Sequence, residues 1–157
     1  MKPLYIFDID GTLTDLTHRR HLVDGSQKKD WDEFYRLCFL DVPRPNVIAI
    51  MSSLMYADSD VIFFSGRRES CRKDTLDWFC KYIPALAVIP AVLLNNMLTL
   101  RPNGDYTHDT TLKQYWYNEL PNEDKLRLVA VFDDRQQVVD MWRTENILCC
   151  QVDKGDF

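Results

Sequence analysis

Asp8 and Asp10 stand two residues apart at the end of an apolar run in YIFDIDGTLTD (5–15), and Gly11 and the hydroxyls of Thr12 and Thr14 follow at once. Ser65, Gly66 and Arg67 close a second apolar run in FFSGR (63–67), and Asp133 and Asp134 close a third in VFDDR (131–135). Carboxylates gathered in one place repel one another and raise each other's pKa. A hard divalent cation removes that repulsion, and an oxygen ligand set with few nitrogens suits Mg²⁺. Beside such an ion, Thr12, Ser65, Arg67 and Lys113 supply the hydroxyl donors and positive charge that suit a phosphate dianion. A carboxylate next to that phosphate can attack it, giving an aspartyl-phosphate. A second carboxylate two residues on can protonate the leaving oxygen and then activate water.

This chemistry needs the segments to meet, and the elements around them say how. Residues 3–9, 58–66, 127–134 and 146–152 read as buried strands, and PAVLLN (90–95) is a weaker fifth candidate. Helical patterns lie between them at 45–57, 69–83, 109–120 and 135–145, with Pro45 suited to a first turn and Asp109 to an N-cap. Alternating strands and helices predict an α/β fold: a doubly wound, Rossmann-like parallel sheet with helices on both faces. In such sheets ligands sit outside the carboxyl ends of the strands, where these polar groups fall. Residues 16–44 interrupt the alternation. They are expected to form a small helical cap or lid within one domain spanning 1–157. Trp31, Phe34 and Tyr35 have helical spacing and are expected to pack on the body; on a lid, one ring could stack on a nucleobase instead. Tyr115, Trp116 and Tyr117 are expected in the core.

The bulk numbers narrow the functional class. The 157 residues carry a net charge of -5, from 24 acidic and 19 basic groups. That excludes a broad basic field for nucleic acid but leaves room for a local basic pocket. No apolar run approaches the roughly 18 residues of a membrane span. The N-terminus reaches an acidic pair too soon for a signal peptide, so the expected location is cytoplasmic, with no membrane partner. The five cysteines show no metal-ligand spacing and are expected as reduced, buried thiols. The terminal KGDF is unusual for a frayed tail, and Phe157 is expected to dock on the body without a chemical role.

The motif DIDGTLT resembles the first motif of the haloacid dehalogenase (HAD) superfamily of phosphohydrolases. FFSGR resembles the second, Lys113 matches the third, and VFDDR the acidic fourth, in order along the chain. FDDRQQVVDMWR…CQVDKGDF (132–157) further resembles the end of the 3′-phosphatase domain of phage polynucleotide kinase/phosphatase. Asp109, four residues before Lys113, matches an acidic position there, and Arg19, eleven after Asp8, a basic one.

The resemblance implies roles. Asp8 is the nucleophile and a Mg²⁺ ligand. Asp10 is the general acid and base, with its backbone carbonyl on the metal. Gly11 permits the tight turn, and Thr12 bonds Asp10 or the phosphate. Ser65 and Lys113 hold phosphoryl oxygens, with Gly66 in the same phosphate loop, and Arg19 and Arg67 contact phosphate or sugar-phosphate. Asp133 and Asp134 complete the metal shell. Which of the two touches the ion stays open, the resemblance making Asp134 the indispensable one. Asp109 orients Lys113 or a neighbouring arginine, unless it only caps its helix. Arg19, in THRRH, could be no more than a solvated basic turn. No GxxxxGK[ST] stretch occurs, so no kinase half is expected in these residues. The implied activity is a Mg²⁺-dependent phosphomonoesterase, foremost a polynucleotide 3′-phosphatase. The alternatives are a nucleotidase for free nucleoside monophosphates and a non-catalytic phosphate-binding module. A phosphomutase would need a larger cap to exclude water. The partner is a phosphorylated nucleotide or a nucleic-acid 3′ end; oligomeric state is open.

Overall fold

The computed structural model of the protein describes residues 1–25 and 28–155; Phe157 lies outside the described residues. The chain opens with β1 (Leu4–Phe7) and a short strand β2 (Thr14–Asp15). Two short helices follow, α1 (Thr17–Arg20) and α2 (Trp31–Arg36), then a 3₁₀ turn and β3 (Val42–Pro43). The body resumes with α3 (Pro45–Tyr56), β4 (Asp60–Arg68) and α4 (Arg72–Tyr82). Next come α5 (Pro84–Ala87), α6 (Ala91–Asn96), β5 (Leu98–Arg101), α7 (Asp109–Glu119) and α8 (Asn122–Arg127). The chain ends with β6 (Leu128–Arg135), α9 (Gln136–Thr144) and β7 (Cys149–Gly155). Pro45 occupies the first turn of α3, where its missing N–H costs nothing. Asp58 and Asn146, at φ 62° and 59°, follow α3 and α9 and turn the chain back toward the next strand.

Five strands form one parallel sheet in the order β5-β4-β1-β6-β7. Successive side chains alternate between its faces. Phe7 and Phe63 point into a core with Val47 and Met51 of α3, Trp78 and Phe79 of α4 and Leu94 of α6. Ile6, Phe64 and Val131 point the other way, against Trp116 of α7 and Val139 and Trp142 of α9. Both faces are therefore dry, which is why these strands read as unbroken apolar runs. The chain runs outward from β1 through β4 to β5, then crosses to β6 and β7. The strand order thus reverses beside β1, and the reversal opens a crevice at the strands' carboxyl ends.

The fifth strand is not 90–95. That segment is α6, and LTLR (98–101) supplies the strand. Residues 90–95 do not alternate: Leu94 is 2% exposed while Val92 is 72% and Leu93 56% exposed, a one-sided burial that suits a helix. The five cysteines are free thiols; Cys38, Cys71 and Cys149 are buried, whereas Cys80 is exposed. No described helix is long and apolar enough to cross a membrane.

Residues 16–44 leave the body through a narrow stem, where Thr14 pairs with Pro43 and Asp15 with Val42 across the antiparallel β2–β3 ribbon. The segment has a small core of its own, Leu16, Val23 and Phe34, with Trp31 and Tyr35 packed against it. Its second helix touches the body through the Tyr35 hydroxyl, which donates to the Gly66 carbonyl at 3.1 Å.

Candidate active site

Asp8 continues β1 by one residue: its N–H donates to the Phe132 carbonyl at 2.9 Å. The chain then folds tightly, the amides of Thr12, Leu13 and Thr14 all donating to the Ile9 carbonyl. Gly11 makes this possible. Its φ is +87°, and a Cβ there would sit 2.2 Å from Oδ2 of Asp134. Gly155 closes the other side of the same carboxylate, its imagined Cβ 2.5 Å from Oδ2. Two glycines thus make the slot in which Asp134 sits.

Lys113 reaches in from α7 and is buried. Its ammonium donates to Asp8 Oδ1 and Asp133 Oδ2, both at 2.7 Å. The carboxylates of Asp8, Asp133 and Asp134 lie within 4.8 Å of one another. Three carboxylates against one ammonium leave an excess of negative charge in a dry place. Burial, reinforced by Asp133 and Asp134, pushes Asp8 well above the usual carboxylate range despite Lys113. Burial and Asp133 push Asp134 up to about 7. Burial opposes the charge on Lys113, but Asp133 and Asp8 outweigh it and raise its pKa, so it stays protonated. A buried cluster of oxygen donors carrying surplus negative charge fits a hard divalent cation such as Mg²⁺.

Asp10 belongs to a different network. Its Oδ1 accepts from Arg19 Nη2 and Arg67 Nε, both at 2.8 Å. Both guanidiniums are in turn gripped by Asp41, whose Oδ2 accepts from Arg19 Nη2 and Arg67 Nη2 at 2.6 Å each. His18 and the Trp78 indole contact Asp41 as well, at its carboxylate and its carbonyl. Burial alone would raise the pKa of Asp10, but Arg19 and Arg67 bring it down to about 2.

A cleft of about 380 Å³ opens onto these groups. Asp8, Asp10, Gly66, Asp109, Lys113, Asp133 and Asp134 line it together. Thr12, Ser65, Arg19 and Arg67 lie behind its surface, all fully buried. That placement corrects one expectation and narrows another. Arg19 and Arg67 do not present themselves to a phosphate; their donors are spent on Asp10, Asp41 and neighbouring groups, so they hold Asp10 in place. The Thr12 hydroxyl does not bond Asp10 and has no partner among the described residues. Ser65 Oγ accepts from the Arg67 amide at 3.3 Å. The carboxylate of Asp10 also stands apart from the three that could hold an ion. Its expected share in the metal shell therefore rests on its backbone carbonyl.

Asp109 is not the cap of α7. His108 takes that position, its side chain accepting from the Thr110 amide. Asp109 binds two arginines instead: Arg101, and Arg135 at 2.5 Å. A Cβ on Gly66 would come within 2.9 Å of the Asp109 carboxylate, so glycine lets the two loops approach. Sequence reasoning missed Asp41, Arg101 and Arg135. Arg101 closes β5 and so carries a strand-end signal, which a strand at 90–95 conceals. Asp41 carries no comparable local signal.

A doubly wound sheet with an Asp at the end of its first strand, a lysine bridging it to a second acid, and paired acids at another strand end defines a phosphatase of the haloacid dehalogenase type. The family model for the polynucleotide kinase PNKP phosphatase domain matches residues 2–157. The chain belongs to that family. It is 31% identical over 137 residues to a protein of Autographa californica nuclear polyhedrosis virus described as a bifunctional polynucleotide kinase/RNA ligase, covering 87% of this chain and 17% of that one. A chain in the solved Pnkp1/Rnl/Hen1 complex superposes with a TM-score of 0.73 at 28% identity, covering 99% of this chain and 47% of its own length. A chain in a structure of the Pnkp1/Rnl/Hen1 RNA repair complex does so equally well, with 44% of its length covered. The chain therefore spans less than half the length of each of these relatives.

Proposed function

We propose that the protein removes the 3′-phosphate from polynucleotide ends through a covalent intermediate on Asp8, with Mg²⁺ as cofactor. The observation that carries this reading is the Lys113 ammonium held at 2.7 Å from both Asp8 and Asp133, beside Asp134 and with Asp10 lining the same cleft.

Lys113 occupies Oδ1 of Asp8, which leaves Oδ2 to attack phosphorus. The bond to the 3′-oxygen breaks as the new Asp8–phosphorus ester bond forms. Asp10 delivers a proton to that oxygen, so the product is a 3′-hydroxyl. Asp10 then takes a proton from water, whose oxygen attacks phosphorus, releasing inorganic phosphate and restoring Asp8. The arginine pair keeps Asp10 ionised until a phosphate ester enters. The negative charge of the ester opposes that effect, so Asp10 takes up a proton from solvent as the ester binds and returns one to solvent after phosphate leaves. Asp8, Asp133 and Asp134, with the Asp10 carbonyl, would hold Mg²⁺, which offsets their charge and polarises the phosphoryl oxygens. Residues 16–44 form a lid over this cleft. The viral relative's name joins kinase and RNA ligase, one solved complex is described as an RNA repair complex, and a ligase requires a free 3′-hydroxyl, so ends prepared for joining are the natural substrate and RNA the favoured polymer.

A side-by-side assay decides the substrate: a 3′-phosphorylated oligonucleotide against nucleoside 3′- and 5′-monophosphates, with Mg²⁺ and with excess chelator. The oligonucleotide is expected to turn over fastest and only with Mg²⁺. Asp8→Asn is expected to abolish turnover while leaving the circular dichroism spectrum unchanged. Cleavage of mononucleotides alone would make the protein a nucleotidase, and full activity in chelator would remove the metal.

A further inference from the structure

One wall of the cleft carries none of these catalytic groups and is built from flat side chains. Trp31 and Tyr35 of α2 stack with ring centroids 6.0 Å apart and planes 26° from parallel. The Arg68 guanidinium, from the end of β4, lies over the Tyr35 ring at 4.9 Å from its centroid. Tyr106 comes from the loop between β5 and α7 and is exposed. All four line the cleft that contains Asp8 and Asp10. Lys29 lines it too, its ammonium 5.5 Å from the Trp31 ring centroid.

Packing explains part of this row. Trp31 and Tyr35 both make edge contacts with Phe34, which anchors the small core of residues 16–44. Packing does not explain Tyr106, which is 82% exposed. A lone exposed aromatic needs no account. Tyr106 instead lines the same cleft as these ring and guanidinium faces and is open to a ligand there. Nucleobases stack on such faces whatever their identity, because every base has a π-face. The volume of the cleft falls in the range of small-molecule sites, too small to enclose a duplex end.

We infer that Trp31, Tyr35, Arg68 and Tyr106 form a stacking track for the unpaired bases of a single-stranded 3′ end, one that does not read base identity. The inference rests on the polynucleotide reading above and specifies which polynucleotide: a single strand, or a frayed end, gripped by its bases. It also accounts for a net-acidic chain acting on nucleic acid. Most of the affinity comes from stacking, and on this wall only Lys29, together with Arg68, whose guanidinium is already paired with Asp32 at 2.5 Å, is placed to meet phosphates. Binding should then depend weakly on salt, with a log–log slope of about -1 to -2.

The test uses the full chain carrying Asp8→Asn, so that substrate binds without turning over. Fluorescence anisotropy compares a labelled 3′-phosphorylated single strand, the same strand with abasic terminal residues, and a blunt duplex. Tyr106→Ala, at an exposed site that leaves packing intact, is expected to weaken single-strand binding about tenfold. It is also expected to abolish the preference for base-bearing over abasic ends, and Tyr106→Phe to restore both. Trp31→Ala is expected to behave like Tyr106→Ala. Unaltered single-strand affinity in both alanine variants overturns the track, as does duplex binding equal to single-strand binding. Turnover by the wild type separates the two levels. If it hydrolyses 3′-phosphorylated oligonucleotides while the variants bind normally, only the track falls. If it hydrolyses p-nitrophenyl phosphate but no oligonucleotide, the polynucleotide reading falls and takes the track with it.

Discussion

At the scale of single residues, the site consists of two charge networks with opposite biases. Asp8, Asp133 and Asp134 crowd around one lysine and are short of positive charge. Asp10 is held by two arginines and is rich in it. Asp41 makes the second network possible, because it accepts from both guanidiniums and fixes the angle at which they meet Asp10. Asp41→Asn removes a buried counter-charge, which is expected to cost about 3–5 kcal/mol of stability, readable by urea denaturation. A purely structural loss would stop there. If Asp41 positions Asp10, kcat also falls at least about tenfold with a smaller change in KM. The limb of the pH–rate profile set by Asp10 then shifts, because the arginine charge that Asp41 shared now falls on Asp10 alone. Reduced stability with an unmoved profile would confine Asp41 to the scaffold. The visibility of these residues in the sequence follows the same division. Asp8, Asp10, Asp133 and Asp134 were legible because each ends an apolar run, and Lys113 because it lies on a periodic helix at the matching place. The part played by Asp41 depends on side chains 22 and 26 residues away. A hydrogen bond between distant segments leaves no pattern in either one. For the same reason Arg19 and Arg67 were legible as important cations but not as buried ones.

At the scale of elements, strands covered on both faces could be found from apolar content alone, and four of the five were. The fifth could not be settled that way. In 90–101 a short helix and a short strand follow each other, and PAVLLN is the more apolar of the two. Only side-chain direction separates them. In a strand Val92 and Leu94 would share a face; in α6 Leu94 is buried while Val92 stands in solvent. Leu94→Ala is therefore expected to lower stability by about 2–5 kcal/mol, and Val92→Ala to change it by less than about 0.5 kcal/mol. Equal losses in thermal or denaturant unfolding would contradict this helix. The consequence extends to the site, since moving the strand to 98–101 places Arg101 at its carboxyl end. There it donates to the Gly66 carbonyl and binds Asp109, and so ties the second strand-end loop to the start of α7. The helix that carries Lys113 is thus anchored by a residue that a misplaced strand conceals.

At the scale of the whole molecule, a surplus of buried carboxylates makes folding, protons and metal compete. Asp134 titrates near 7 in the folded chain and near 4 when unfolded. Between those values the folded state holds a proton that the unfolded state has released, so metal-free stability falls as pH rises through that window. Asp8 shifts in the same direction. Asp10 has the opposite sign. Its folded value of about 2 lies below its unfolded one, so its contribution is present above about pH 4 and lost only as the pH falls toward 2. Across pH 4 to 7 the Asp134 and Asp8 effect therefore dominates, and the metal-free protein should melt at lower temperature near pH 8 than near pH 5. A divalent cation binds the ionised carboxylates and not the protonated ones, so it has to displace protons at low pH and none at high pH. The rise in melting temperature caused by saturating Mg²⁺ should accordingly be small near pH 5 and large near pH 8. Differential scanning fluorimetry across that range, with and without Mg²⁺, reads both slopes. Asp134→Asn should reduce the metal-free slope to the part that Asp8 contributes and remove most of the Mg²⁺ response, because Asp134 takes part in both. A Mg²⁺ shift of the same size at every pH would mean that the ion binds away from this cluster.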